Sequence, residues 1–539
     1  MKITKQKNRM ECRNELRKVT FGAMLVSALF TLDSQASAIT ADFNGDGYQD
    51  LIVGVTGEDF SGLTNAGAVK VVYGNASGRL EYSNKKDYIH QGKYGEPGIQ
   101  LYGVAEANEY FGSELVTGDF NNDGYDDVAA GVPRESSGNK THAGLINIIY
   151  GSADGLKQQG NHMLSLQSYK YGKYNGSYRN FGRSLAVGDY DGDGVDDLAA
   201  NFAGGYHDQK WVRGGTIILF GDATRGLKYS MSSQKAHVVL EPWQYIPQYG
   251  TFGSQMISGD FNNDGKSDLA LGSPTDRVGG VRTGSVSIAY GVADWNDNPP
   301  SLLKIEPVFK ESNGHFGASL AVGNFNSGAG DELIIGQPGA STSGERESGN
   351  VLLVRFGYGD TPTQQLINQD KALIPGKSLP LDRFGQTLTV ADFNGDGKDD
   401  LAIGIPSKSK LSLWSHRQIL DYGEIAVLYN NGWTFYKGEI WNQDSTGVAG
   451  GREKEDYFAS SLTAGDFNND GISDILIGAR GEDLGSIRNA GSVQLIWGAG
   501  NGLTASLPGK QFFHQGSFSG EGFGSSENES YDSFGQLLD

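Results

Sequence analysis

Four kinds of apolar run follow one another along the chain, and the succession repeats. The first alternates apolar and polar positions after a Phe-Gly pair, as in FGSELVTGDF (111–120) and FGQTLTVADF (384–393). The second is short and continuously apolar, and in several copies closes on Gly-x-Pro: DVAAGVP (127–133), DLALGSP (268–274), DLAIGIP (400–406). A polar loop leads to the third: GAVKVVYG (67–74), GLINIIYG (144–151), GTIILFG (215–221), GSVSIAYG (284–291), GSVQLIWG (491–498). A less regular fourth run closes the unit, as in DYIHQG (87–92) and QFFHQG (511–516). Runs this short, rich in Val, Ile, Leu and Tyr and bounded by Gly, predict β-strands.

Between the first and second runs lies an acidic turn. DFNGDGYQDL begins at Asp42, DFNNDGYDDV at Asp119, DYDGDGVDDL at Asp189, DFNNDGKSDL at Asp260, DFNGDGKDDL at Asp392 and DFNNDGISDI at Asp466. A worn copy, NFNSGAGDEL, begins at Asn324. The starts are 77, 70, 71, 64, 68 and 74 residues apart, a near-constant period with insertions, which marks a repeat architecture. Seven units of four strands predict an all-β protein, a seven-bladed β-propeller, because one sheet alone leaves both faces exposed while blades packed in a ring cover one another. The Phe of Phe-Gly is predicted to pack between blades. The last residues, SFGQLLD (533–539), begin another first run, and ITADF (39–43) supplies its end, so the first blade is expected to be assembled from the N- and C-terminal segments.

Composition agrees: Gly accounts for 80 of 539 residues, suited to turns and costly in helices. The net charge of −20 argues against nucleic acid and anionic membrane surfaces as partners. Residues 1–38 read as a secretory signal: a basic start, the apolar core FGAMLVSALFTL (21–32), and Ala36-Ser37-Ala38 as a small-residue cleavage site. The propeller is then residues 39–539, and the chain is expected to be secreted, periplasmic or cell-surface. No later stretch is apolar enough to span a bilayer as a helix. The one cysteine, Cys12, lies in the signal, so no disulfide is expected in the mature chain.

Asp at every second position of a turn is repulsive without a cation between. Calcium takes six to eight oxygens, and side chains at positions 1, 3, 5 and 9 with the carbonyl of position 7 supply them when Gly at position 6 lets the chain bend. The expected ligands are Asp42, Asn44, Asp46, Tyr48 and Asp50 in the first turn, and Asp119, Asn121, Asp123, Tyr125 and Asp127 in the second. Asp189, Asp191, Asp193, Val195 and Asp197 follow, then Asp260, Asn262, Asp264, Lys266 and Asp268. Asp392, Asn394, Asp396, Lys398 and Asp400, and Asp466, Asn468, Asp470, Ile472 and Asp474, complete about six structural Ca2+ sites. The worn turn, with Gly328 and Ala329 at positions 5 and 6, is predicted to hold no ion. An EF-hand is excluded, since position 12 is never a bidentate Glu and both flanks read as strands.

Phe-Gly, then DxDxDGxxD, then Gly-x-Pro resembles the FG-GAP repeat of integrin α-subunit propellers, over residues 39–539. The resemblance implies calcium loops between first and second strands, opposite the main ligand face. It implies nothing about integrin signalling, because the leg domains, membrane helix and inserted metal-binding domain have no counterpart here.

Up-and-down strand order puts the acidic turns on one face and the longer 2–3 loops on the other, where binding usually resides. Aromatic residues crowd those loops in the third and fourth units: Tyr169, Tyr171, Tyr174, Tyr178, Tyr206, His207, Trp211, Trp243, Tyr245 and Tyr249. Exposed aromatics beside Lys, Arg and Asn suit a glycan or an extracellular protein; packing between blades is the alternative. The similar loops 54–67 and 478–491 are expected to cap the ring. Tyr206, His207, Lys210 and Arg213 also resemble groups that cleave polysaccharides on propellers, but no HExxH motif and no nucleophile elbow is present. A binding and adhesion module is therefore the first reading, a polysaccharide-active enzyme such as a lyase the second, a structural envelope component the third. Oligomeric state is not specified by the sequence.

Overall fold

The computed structural model describes residues 41–59, 62–75, 88–91, 99–101, 103, 105–157, 160–168, 176–207, 210–212, 214–227, 237–240, 251–295, 300–326, 328, 330–357, 362–370, 373–411, 418–419, 421–506, 512–514 and 537–538. The predicted signal, 1–38, lies outside them, as do Tyr169, Tyr171, Tyr174, Trp243, Tyr245 and Tyr249.

The second blade shows the unit plainly. Glu114–Gly118, Asp127–Val132, Leu145–Ile149 and His162–Leu164 form a four-stranded antiparallel meander. Blades three to seven repeat it from first strands Leu185–Gly188, Gln255–Gly259, Ser319–Gly323, Thr387–Ala391 and Phe458–Gly465. First strands of successive blades lie side by side, so they form the inner wall of the seven-bladed propeller. Second strands are buried along their whole length, as in Asp127–Val132 and Asp474–Ala479. That burial explains why they read as continuous rather than alternating: blades cover both of their faces.

In the first blade, Leu51–Val55 pairs with Ala68–Val72 on one side and with Leu537–Leu538 on the other. Gly54 meets Leu537 in the register by which Gly131 meets Glu114 in blade two. Ala41 bridges Asp50 further along the same strand. A first strand shared between the two terminal segments is thus part of the fold.

The Phe-Gly pair is the hinge of blade-to-blade packing. Phe111, Phe181, Phe316 and Phe384 are fully buried, as is Phe458, which Ala459 follows in place of the glycine. Four of them pair with the glycine that precedes the third strand of the blade before: Gly67 with Phe111, Gly144 with Phe181, Gly284 with Phe316, Gly349 with Phe384. The glycine after the Phe faces the glycine of Gly-x-Pro. A Cβ on Gly131 would fall against the carbonyl oxygen of Gly182, whose own backbone is left-handed at φ +81°. The same contact recurs between Gly54 and Gly112 and between Gly272 and Gly317. Tyrosines at the ends of third strands add polar pins: the Tyr73 hydroxyl accepts from the N–H of Leu156 and that of Tyr429 from the N–H of Leu503, each in the next blade.

Candidate functional site

The acidic turns fold around their own carboxylates. In blade three, Asp189 accepts at Oδ1 from the N–H of Gly192 (2.7 Å) and Asp193 (3.0 Å), and at Oδ2 from Gly194 (2.8 Å). Asp191 accepts from Asp193, and Asp193 from Val195. Asp197 is fully buried and accepts from the N–H of Tyr190 (2.9 Å) and of Gly221 (2.8 Å), at the end of the third strand. The other five intact turns keep the frame. Position 1 accepts from the position-6 glycine, as Asp42 from Gly47 and Asp466 from Gly471. Position 9 accepts from position 2 and from the far end of the third strand, as Asp50 from Phe43 and Gly74.

Side-chain oxygens of Asp189, Asp191 and Asp197 lie within 4.8 Å of one another, a cluster that could hold a metal ion. Only oxygen donors converge there, the chemistry of a hard divalent cation. Burial pushes Asp197 up to about 8, with the charges of Asp191 and Asp189 adding to it and the Gly221 and Tyr190 hydrogen bonds opposing. Asp50, Asp127, Asp400 and Asp474 are likewise raised to about 8, and Asp268 to about 7, with burial the leading cause in each. Ionising these carboxyls fully at neutral pH would take a nearby positive charge.

The worn turn of blade five is held by amide hydrogen bonds of its own. The Asn324 amide donates to the Gly328 carbonyl (3.0 Å), Asn326 donates to Glu332, and Glu332 accepts from the N–H of Phe325 (2.7 Å).

One functional group was missed in the sequence. The carboxylate at position 8 reaches back to the turn of the preceding blade: Asp126 accepts from the N–H of Asp42 (2.6 Å), Asp196 from Asp119, Asp331 from Asp260 and Asp399 from Asn324. These bonds tie neighbouring turns at four of the blade junctions; position 8 is Gln49, Ser267 or Ser473 in the remaining turns. The signal was present as the doubled acid in YDDV, VDDL, GDEL and KDDL. With position 9 already assigned, the second acid looked like surplus surface charge.

Substituting Asp197→Asn should cost about 2 kcal/mol, because one of the two buried N–H groups loses its acceptor. Chemical denaturation of the folded variant measures it.

On the opposite face, blades three, four and six insert two-stranded hairpins between their second and third strands: Gly205–His207 with Lys210–Val212, Arg277–Val278 with Val281–Arg282, and Lys410–Leu411 with Gln418–Ile419. The first carries three expected recognition residues, with Tyr206 paired to Trp211 and His207 to Lys210. Tyr178 is 60% exposed and stands edge-on to His142 at 5.5 Å. Arg213 lies outside the described residues.

Several links between blades on this face are backbone-strained. At five links the residue before the buried Phe has a left-handed backbone: Tyr110 (φ +58°), Asn180 (+46°), His315 (+56°), Arg383 (+58°) and Tyr457 (+52°); Thr251, before Phe252, does not. So does the residue two before it: Asn108, Tyr178, Asn313, Leu381 and Glu455. Tyr, His, Arg and Leu are costly in this region. The guanidinium of Arg134 stacks on Tyr110 at 4.5 Å and that of Arg480 on Tyr457 at 4.6 Å.

A family model for the FG-GAP repeat matches residues 35–72, 111–146, 181–219, 252–288, 384–410 and 458–496. Phosphatidylinositol-glycan-specific phospholipase D of Bos taurus is 27% identical over 68% of this chain and 42% of its own length. Integrin alpha pat-2 of Caenorhabditis elegans is 27% identical over 51% of this chain and 22% of its own. The chain thus spans about two fifths or less of the length of these curated relatives. A solved rhamnogalacturonan lyase of Bacillus licheniformis aligns with 82% of this chain and 74% of its own at 13% identity and a TM-score of 0.28, a likeness that carries no argument about activity.

Proposed function

The chain is an FG-GAP repeat β-propeller, and from that premise we propose that it is an exported, calcium-loaded recognition module whose ligand is a glycan or an extracellular protein. Calcium would occupy the six intact acidic turns, held by the carboxylates at positions 1, 5 and 9, the Asp or Asn at position 3 and the carbonyl of position 7. Its role there is to neutralise the turns and brace the rim. The ligand would meet the other face.

The observation that carries this reading is the left-handed, non-glycine backbone at five of the blade links. Strain of this kind costs of order 1–3 kcal/mol per residue and persists where it serves a site. Tyr178 and Leu381 are large, exposed and held in it. The paired Tyr206 and Trp211 of the third-blade hairpin would extend the same surface.

An array of glycans and extracellular-matrix proteins, probed with the calcium-loaded chain, tests the reading. A ligand should be found, and Tyr206→Ala combined with Trp211→Ala should weaken it at least ~10-fold, the scale of an aromatic anchor. Incubation with acidic polysaccharides distinguishes the enzymatic alternative: accumulation of unsaturated products would replace recognition by lyase chemistry. Silence in both experiments would leave a structural role.

A further inference from the structure

Three blade interfaces carry the same buried polar constellation on the face opposite the acidic turns. Each takes a Gln two residues beyond the fourth-strand residue that pairs with the third strand: Gln91 after Ile89, Gln369 after Ile367, Gln443 after Trp441. Each takes an acid two residues before the buried Phe: Glu109, Asp382 and Asp456. The acid accepts in every case from the N–H three residues upstream, of Glu106, Leu379 and Glu453. The third member sits three residues past the end of the second strand: Glu135, Lys408 and Glu482. All nine side chains are buried.

Between blades five and six the cation is built in. The Lys408 ammonium lies 2.6 Å from Asp382 Oδ2, 3.0 Å from Gln369 Oε1 and 2.9 Å from the Lys377 carbonyl. Between blades six and seven, and between one and two, that lysine is replaced by a glutamate, so two acids face one another with no cation. Gln443 then turns its amide N–H to Glu482, as Gln91 does to Glu135 at 3.4 Å. This leaves Gln443 Oε1, Gln91 Oε1 and Glu109 Oε1 buried without a hydrogen-bond partner. Buried polar atoms without partners are rare in native proteins and mark a missing ligand or proton. The charges acting on these acids are themselves carboxylates: Asp456 on Glu482 and Glu135 on Glu109, with Glu453 and Asp483 adding at one interface and Glu106 at the other.

We propose that each of these two interfaces binds a divalent cation of the calcium class, held by Gln443, Asp456 and Glu482 between blades six and seven and by Gln91, Glu109 and Glu135 between blades one and two. The ion takes the place that the ammonium of Lys408 takes one interface away. Carboxylate and amide oxygens, with no sulfur or imidazole, select a hard cation. Turning the amide of Gln443 or Gln91 by half a rotation, to the orientation Gln369 already has, presents its Oε1 to the ion. The sites clamp adjoining blades on the ligand face and are separate from the acidic turns, so they stand or fall without them. The pattern also explains why both third members are acids: with Lys there, the clamp needs no ion.

Equilibrium dialysis of the full chain against radioactive calcium tests this by counting ions in wild type and in Glu482→Lys and Glu135→Lys, which copy the arrangement of blade six. Each variant should lose one bound ion per chain, the double variant two, and Lys408→Glu should gain one. The isosteric Glu482→Gln and Glu135→Gln report the same loss if the lysine is not accommodated. An unchanged count in the glutamine variants would overturn the proposal and assign the paired acids a shared proton. Ions in the acidic turns add an equal background to every variant, so failure there is read separately, as a low count in the wild type.

Discussion

Chelating calcium is expected to lower the melting temperature of the chain by on the order of 8 °C. A site with a dissociation constant of ~0.1 mM in ~1 mM calcium contributes roughly 1.4 kcal/mol by mass action. Six acidic turns acting independently then contribute about 8 kcal/mol, comparable to the net stability of a whole domain. Unfolding entropy of ~2.1 cal/mol/K per residue gives about 1 kcal/mol per degree for ~500 residues, hence the shift. Calorimetry with and without chelator measures it, and an unchanged midpoint would remove the structural role of the ion. The chelated protein should also show an unusual pH dependence. Its position-9 carboxyls, Asp50, Asp127, Asp197, Asp400 and Asp474, are raised to about 8 from 3.8 by burial. Between these values the folded state holds more protons than the unfolded one, so metal-free stability falls as pH rises from about 4 through about 8. Calcium, which binds the deprotonated form, should therefore stabilise more at pH 8 than at pH 5.

Replacing Gly131 by Ala should be as damaging as losing the ions from several turns. The added Cβ would collide with the Gly182 carbonyl, and this is backbone against backbone, so no rotamer change relieves it. Blades two and three would have to separate along a line where Phe181 and Gly144 also pair. Overpacking costs 1–3 kcal/mol where side chains yield. Here the expected loss is above ~3 kcal/mol, seen as an early, broadened unfolding transition or as insoluble protein. The control is Gly138→Ala in a polar loop, where a Cβ has open space and only the left-handed backbone resists. It should cost about 1 kcal/mol.

Much of this was legible from the chain alone because a repeat tests its own pattern. Six copies of one turn distinguish a repeated acidic turn from a chance run of Asp, and four apolar runs per copy give the strand count of a blade. The doubled acids at positions 126, 196, 331 and 399 were visible too, but their partner is a backbone N–H in the turn of another blade, roughly a whole period away. The left-handed links were not legible at all. Tyr110, Asn180, His315, Arg383 and Tyr457 span four residue types, so no shared local preference marks the conformation in the chain.

The sequence by itself determined the local units: which residues form strands, where the chain turns around acids, and how often the unit recurs. Those properties depend on neighbours a few residues apart, whose spacing is written in the chain. The tertiary structure decided which units touch. It set Gly131 against Gly182, split the first strand of blade one between Ala41 and Leu537–Leu538, and brought Gln443, Asp456 and Glu482 to one interface. Such contacts arise only when the ring closes, because the angle between blades, not the sequence distance, fixes which buried polar atoms meet.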